Sequence, residues 1–315
     1  MALFARKKRV KAGLIVDAGL WRYITLEGAP GHFSVVEQIS GHLSSDNSSG
    51  DDPFAKGGVM LGSAFREVAE QLKDKSLPIC LSLPTNESLL RIVSMPGMTL
   101  SEAKMAMKYE FENYFPFSVD DGIYDMAEID YPLPNGAQEK RFLVAAARLS
   151  LIDNIMKFAS DAGLSLEAIE PAQIAAERAM TPVVPVDDAS IYLYVGMFRS
   201  ILILSWKGSG IFYRTMSIGF EEPESIAEQN MEEQLVPFVK EVRSSLQFAL
   251  SQIRGFEAHS IFISGPGVSE GLTPLLKEAL TVEELRLIDP FKLHGITFNT
   301  EGKHWDIPLG LALRP

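Results

Sequence analysis

Five histidines, one cysteine and several acidic pairs are the residues of this chain whose types could carry catalysis or hold a metal. His32, His42, His259, His294 and His304 show no H-x-x-x-H or Cys/His ligand spacing, so the sequence predicts no zinc site. Ser264 stands in S-G-P-G rather than in the G-x-S-x-G of a hydrolase nucleophile. Asp120-Asp121 and Glu221-Glu222 fall in predicted turns, where solvated charge is the ordinary state of an acid. Cys80 lies in the apolar run 77–81 and reads as a small buried core residue. What remains are turns rich in glycine: Asp17-Ala18-Gly19, the Lys-Gly-Ser-Gly of 207–210, and Ser264-Gly265-Pro266-Gly267. On its own, Asp17 reads as a turn residue bonding its own backbone.

The elements that must position these turns are organised around residues 93–117. A strand ends at Pro96-Gly97, and Thr99 with Glu102 forms a T-x-x-E capping box that starts a helix. Leu100, Ala103, Met107, Phe111 and Tyr114 follow on one stripe at helical spacing. Met105 and Tyr109 lie one turn apart on the opposite face, which a helix with a single buried side would leave polar. The helix stops at Phe115-Pro116, because the residue before proline disfavours the helical region.

Before this stretch the pattern predicts strands at 13–16, 21–27 and 33–38, a polar loop at 41–58, an amphipathic helix at 59–72 and a strand at 79–83. After it come strands at 123–131 and 141–147, a helix at 150–162 closed by Gly163, and a helix at 169–180 entered through Pro171. A linker rich in proline and acid spans 182–188. The opening pattern then returns: strands at 190–196, 200–207 and 211–218, a long helix at 234–252, a strand at 260–263, a helix at 271–280 and a strand at 285–288. Leu235, Phe238, Val242, Leu246 and Leu250 form the apolar stripe predicted for the long helix. The domains predicted are 1–92 as a first lobe, completed by 163–182 and 305–315; 93–162 as a small α+β unit inserted into it; and 186–304 as a second lobe.

The chain's 315 residues suffice for two sizeable cores, and 46% hydrophobic with 22% charged residues is a globular balance. A formal net charge of −12 argues against a general nucleic-acid binder, which needs a basic surface for phosphates. A single cysteine allows no disulfide framework within the chain and fits a reducing compartment. No run reaches the roughly 18–20 apolar residues of a membrane span. The cations at 6–9 precede an apolar segment too short for a signal peptide, so a solvated basic tail is expected there.

The strand ending in S-M-P, the capped helix with Tyr109-Glu110-Phe111-Glu112, and Tyr114-Phe115-Pro116-Phe117 together resemble the PilM family. These are actin-like cytoplasmic proteins of type IV pilus assembly. The likeness continues in order through Val144 to Arg148, Ala162-Gly163-Leu164, Tyr213-Arg214 with Ile218-Gly219, the run 241–248, Asp289-Pro290 and the ending at 307–314. It implies an α/β fold of the actin-like, FtsA and PilM type, with two lobes and the inserted subdomain.

The resemblance also implies a nucleotide site built on Asp17 and Gly19 in one turn, Gly196 in a second and Gly265 and Gly267 in a third, with ATP and magnesium as the cofactor to test. Here that site reads as vestigial. Leu20, Trp21 and Arg22 replace small polar residues and are expected to obstruct phosphate approach, Ile24 replaces a lysine, Tyr194 an aspartate, and Pro266 lacks an amide donor. The segment after Gly219 is short, and 225–233 has no counterpart in the family. No hydrolysis is therefore expected, since positioning and electrostatics supply nearly all of phosphoryl-transfer catalysis. The implied partners are the N-terminal peptide of a PilN-like protein, with Met105 and Tyr109 as its contact residues, and pilus motor ATPases. The implied location is cytoplasmic and peripheral to the inner membrane, with the membrane reached only through that partner. The alternatives are a working or polymerising actin-like ATPase and a type II secretion platform component.

Overall fold

The computed structural model describes residues 9–17, 19–29, 31–43, 53–54, 58, 60–133, 138–182, 188–220, 228–268, 272–280, 284–296 and 305–315. The basic tail up to residue 8, most of the polar loop at 41–58, residues 183–187 of the linker, residues 225–227 of the 225–233 segment and His304 lie outside these residues.

Three strands, β1 (Arg9–Asp17), β2 (Leu20–Ala29) and β3 (His32–His42), form an antiparallel meander. Helix α1 (Leu61–Gln71) leads to β4 (Ile79–Leu83), which returns parallel to β1. The sheet is completed by β8 (Leu166–Pro171), giving the order β3-β2-β1-β4-β8. All five residues of β4 are buried, as expected for a central parallel strand covered on both faces. Cys80 is among them, and burial pushes its thiol up to about 12.

A second sheet repeats this plan. Strands β9 (Ala189–Val195), β10 (Ser200–Trp206) and β11 (Ser209–Met216) form the meander. Strands β12 (Ser260–Ser264) and β13 (Glu284–Leu287) are added in parallel, so the order is β11-β10-β9-β12-β13. Its core side holds Leu193, Val195, Leu202, Leu204 and Ile263 against the long helix α5 (Glu228–Gln252), through Phe238, Val242 and Ala249. Helix α6 (Leu272–Leu280) packs beside α5.

A third, antiparallel sheet comprises β5 (Leu89–Pro96), β6 (Gly122–Ile129) and β7 (Glu139–Arg148), in the order β5-β7-β6. Helix α2 (Leu100–Tyr114) lies on it. Its capping box forms as the sequence predicts: the Glu102 amide donates to Thr99 Oγ1 at 3.3 Å, and the Thr99 amide donates to Glu102 Oε2 at 2.8 Å. The Thr99 amide, with its hydroxyl, holds the Glu102 carboxyl below the usual carboxylate range. Ala103, Met107 and Phe111 are fully buried against Val93, Phe142 and Val144. Burying one such large side chain is worth about 1.5–3 kcal/mol.

The remaining helices are α3 (Leu149–Asp161), α4 (Ala172–Met180), α7 (Pro290–Leu293) and α8 (Asp306–Ala312). Every residue of α8 is buried. It packs on β1 and β2, with Leu309 and Ala312 in one cluster with Ile24, Leu26, Phe291 and Trp305. Two glycines permit this approach: a Cβ on Gly13 would lie 2.1 Å from Pro308 O, and one on Gly310 only 1.8 Å from Ala175 O. A half-buried fork fastens the same region, Arg178 donating to both Glu170 oxygens at 2.7 and 2.9 Å and to Gly310 O at 2.8 Å.

The chain forms two compact units, Met1–Glu87 with Ser150–Ala179 and Pro290–Pro315, and Ser88–Leu149 with Met180–Asp289. The division differs from the expectation of one 93–162 insert in the first lobe. Helix α3 falls in the first unit because Phe158 packs on Gly62 of α1. The β5-β7-β6 sheet falls in the second, where Ile129 and Tyr131 pack against the core under β9 and β10. Residues 290–296, expected in the second lobe, fall in the first, through Phe291 and Ile296.

Two local expectations are corrected. Residues 166–171, whose second half was expected within a helix at 169–180, form strand β8, and α4 begins only at Ala172. Leu250, predicted in the buried stripe of α5, is 44% exposed, while Ala249 and Ser245 are buried instead. Steps of four residues turn a helix by about 400°, so the row drifts about 40° per step and leaves the core by its last member.

Candidate functional site

The first unit contributes the β1–β2 turn. Asp17 ends β1, is exposed, and pairs with Leu20 across the turn. Gly19 adopts φ +81°, in the left-handed region, and a Cβ there would meet nothing within 4 Å. Its carbonyl accepts the Leu43 amide at 2.8 Å, tying the turn to the end of β3. Trp21 does not stand over this turn as the sequence suggested. It is 3% exposed, with its indole against Gly41, where an added Cβ would come within 2.7 Å of Nε1. Strand register decides this, because Trp21 and Gly41 are directly paired. Leu20 and Arg22 are half-buried.

The second unit brings Gly196, Gly265 and Gly267 together in one turn cluster, and adds Gly219. Gly265 adopts φ +115°, and a Cβ on it would lie 2.3 Å from Val195 O. A Cβ on Gly219 would lie 2.4 Å from Gly196 O, and one on Gly267 3.0 Å from the same atom. Four amides here have protein acceptors: Gly196 donates to Arg199 O, Phe220 to Gly196 O and Gly267 to Val195 O, each at 3.0 Å, and Val268 to Gly265 O at 3.2 Å. Tyr194 is half-buried and pairs with Ser264 across β9 and β12, its ring 3.3 Å from where a Gly196 Cβ would stand. Among the described residues, no group of three or more His, Cys, Asp or Glu could hold a metal ion.

The outer face of α2 is a different kind of surface. Met105 is 58% exposed and Tyr109 89% exposed, one helical turn apart, while Ala103, Met107 and Phe111 fill the core beneath. Both side chains therefore stand clear of the packing that holds the helix. Ile123 of β6, 41% exposed, is a further apolar side chain on the surface of this subdomain. Lys104 bridges to Asp125 at 2.5 Å on the exposed surface, where an ion pair adds little stability. Sequence reasoning missed Gly219 as a member of the turn cluster, although its motif was visible. Only the tertiary contact with Gly196 identifies its part.

Two five-stranded sheets of identical order in one chain, each with three antiparallel strands followed by two parallel ones, define an actin-like fold. Within that class, residues 50–196 match the family model of the type IV pilus assembly protein PilM. A chain of a PilM–PilN type IV pilus biogenesis complex superposes with a TM-score of 0.78 at 19% identity, over 98% of each chain. The cytoplasmic domain of EpsL, an inner-membrane component of the type II secretion system of Vibrio cholerae, superposes with a TM-score of 0.50 at 10% identity, over 89% of this chain and 86% of that one. At these identities the structural likeness establishes the fold. No curated protein matches the sequence.

Proposed function

We propose that this chain is a PilM-like scaffold of type IV pilus assembly that binds the N-terminal peptide of a PilN-like partner and is brought by it to the cytoplasmic face of the inner membrane. The observation that carries the reading is the pair Met105 and Tyr109, large apolar side chains left exposed on a helix whose opposite face is fully buried. Aromatic and methionine side chains are enriched where a partner peptide docks. The family match over residues 50–196 includes this helix. Pilus motor ATPases are proposed as further partners.

The nucleotide-site turns are proposed to be vestigial and not catalytic: Asp17 and Gly19 in the first unit, and Gly196, Gly265 and Gly267 in the second. Supporting this, the amides of Gly196, Gly267 and Val268 are committed to protein carbonyls, Pro266 has none, and Tyr194 occupies an acid position of the resembled family. A phosphate cradle needs such amides directed at the ligand.

The test is titration of a labelled PilN-type peptide against the full chain and against Met105→Ala/Tyr109→Ala. Binding by the parent chain, lost in a double variant that keeps its circular dichroism and melting temperature, is the expected result. A folded double variant that binds normally removes the Met105 and Tyr109 face from consideration.

A further inference from the structure

Strand β3 is the edge of the first sheet, and Glu37 is its one buried residue, at 8% exposure. The neighbouring Val36 is 53% exposed, so the acid stands inside and the valine outside. A β-bulge produces this inversion. Thr25 pairs with Glu37 but Leu26 pairs with Val35, which leaves Val36 without a partner in the ladder. Leu26 belongs to the cluster around α8, and Val35 packs against it. In an unbroken strand Glu37, two residues on from Val35, would share that face. The extra residue moves it to the opposite face, beside Thr25.

That face carries two more buried polar groups. Tyr23 and Thr25 alternate along β2 with Ile24 and Leu26, so they point away from α8, and both are fully buried. Tyr23 Oη, Thr25 Oγ1 and Glu37 Oε1 are all enclosed, and none has a hydrogen-bond partner. Directly paired residues set their Cβ atoms about 5 Å apart, and long or aromatic side chains also reach a diagonal neighbour. Thr25 is directly opposite Glu37 and Tyr23 is diagonal to it, so the three oxygens share one neighbourhood. The field there is negative: burial, and after it the charges of Glu37 and Asp74, raise the Tyr23 phenol above its ordinary value. Asp74 itself is exposed, with its Oδ1 bonded to Ser76 at 2.6 and 2.9 Å, so it lends charge but no ligand atom.

We propose that Tyr23, Thr25 and Glu37 form a binding site for a small monovalent cation of the sodium, potassium or ammonium class. A carboxylate taken out of water needs a paired charge or a coordinated ion. Water would satisfy the hydroxyls but leave that charge uncompensated. The donor set suits a hard cation: one carboxylate oxygen, two hydroxyl oxygens with lone pairs to give, and no nitrogen or sulfur. A single carboxylate balances a single positive charge, whereas calcium and magnesium call for about six or more oxygens. A bulge and an inward charge also serve to protect a sheet edge. Edge protection accounts for Val36 and Glu37 but not for the two hydroxyls left unpaired beside them. A bound ion fastens β3 to β2 where the bulge interrupts their ladder. The site shares no residue with the glycine turns or the α2 surface, so its test is separate from theirs.

The experiment melts the full chain in sodium, potassium and ammonium chloride, and in N-methylglucamine chloride at the same ionic strength, whose cation is too large to enter. Expected is a saturable rise with at least one small cation, of about 3 °C at ten times its dissociation constant. Glu37→Gln, which keeps the shape and removes the charge, should abolish the rise. Tyr23→Phe and Thr25→Val, each lacking one oxygen, should weaken it, and they carry the test if Glu37→Gln does not fold. Sodium-23 NMR gives a readout independent of stability: line broadening by the parent chain, reversed by Glu37→Gln or by whichever competing ion binds more tightly. Equal melting in all four salts, without broadening beyond that of Glu37→Gln, overturns the proposal. So does a cation response that survives in the variants, which places the ion at other acids. A response to calcium or magnesium alone, lost in Glu37→Gln, overturns the monovalent class.

Discussion

The two five-stranded sheets share a strand order, but the glycine turns beside their first strands are built on opposite principles. In the first unit, Gly19 is required by conformation alone: its φ is +81° and the space around it is empty. In the second, Gly196, Gly219, Gly265 and Gly267 are required by contact, because backbone atoms of neighbouring turns occupy the places where side chains would be. An open turn needs its glycine only for backbone conformation, whereas a closed cluster needs its glycines for packing whether or not a ligand binds. Retained glycines are therefore poor evidence for a retained nucleotide, and the fate of the amides is better evidence.

This contrast predicts its own largest effect. Gly265→Ala should cost about 4–5 kcal/mol or more, because a 2.3 Å approach to Val195 O cannot be relieved by a side-chain move. Gly19→Ala should cost only about 1–2 kcal/mol, the penalty of a left-handed conformation without a clash. Denaturant unfolding of both variants measures the difference, and equal costs would erase the distinction between the turns. Gly310→Ala, with its Cβ 1.8 Å from Ala175 O, should match Gly265→Ala and shows that the first unit has its own closed contact, placed at α8 instead of at the turn.

Ligand binding sharpens the same comparison. A nucleotide at 100 times its dissociation constant would stabilise the chain by about 2.7 kcal/mol. With the amides of Gly196, Gly267 and Val268 committed to protein carbonyls, millimolar Mg-ATP should leave the melting temperature unchanged. A clear rise that disappears in Asp17→Ala would show that the open turn still serves a phosphate.

A pH effect is expected in the first unit. His294 is 6% exposed, and burial holds its imidazole below the ordinary histidine value, although Nε2 lies 3.1 and 3.2 Å from the Ala179 and Arg178 carbonyls. The folded state therefore favours the neutral ring. Stability is fully present above the unfolded pKa of about 6.5 and is lost as pH falls from there through the lower folded value. Unfolding measured across this range should show the decline, and His294→Gln should flatten it.

The smallest effect belongs to α2. Met105→Ala/Tyr109→Ala should change stability by no more than about 0.5 kcal/mol, as surface substitutions do. Phe111→Ala on the buried face should cost about 3–5 kcal/mol. A strong destabilisation by the exposed pair would mean that both faces of α2 support the fold.

Much of this protein was legible in its residues because the deciding interactions are local. The T-x-x-E box, the Leu100–Phe111 stripe and the Phe115-Pro116 stop define α2 within a few residues of chain, and the apolar run 79–83 declared itself a buried strand. The same helical period placed Met105 and Tyr109 on the opposite face but left open whether that face is packed within the fold, and their exposure was decided by tertiary packing. Tertiary structure decided the rest. Leu166-Glu-Ala-Ile-Glu-Pro171 has helix-forming residues, and it is a strand because parallel pairing on β4 outweighs propensity. Trp21 turned away from its turn because the register set it over Gly41, a residue twenty positions along the chain. Ile129 and Tyr131 find partners in the second unit and Phe158 in the first, contacts that no local pattern announces. Composition and spacing determine which elements form; which atoms they meet depends on long-range packing, and packing alone spent the amides of Gly196, Gly267 and Val268 on protein carbonyls.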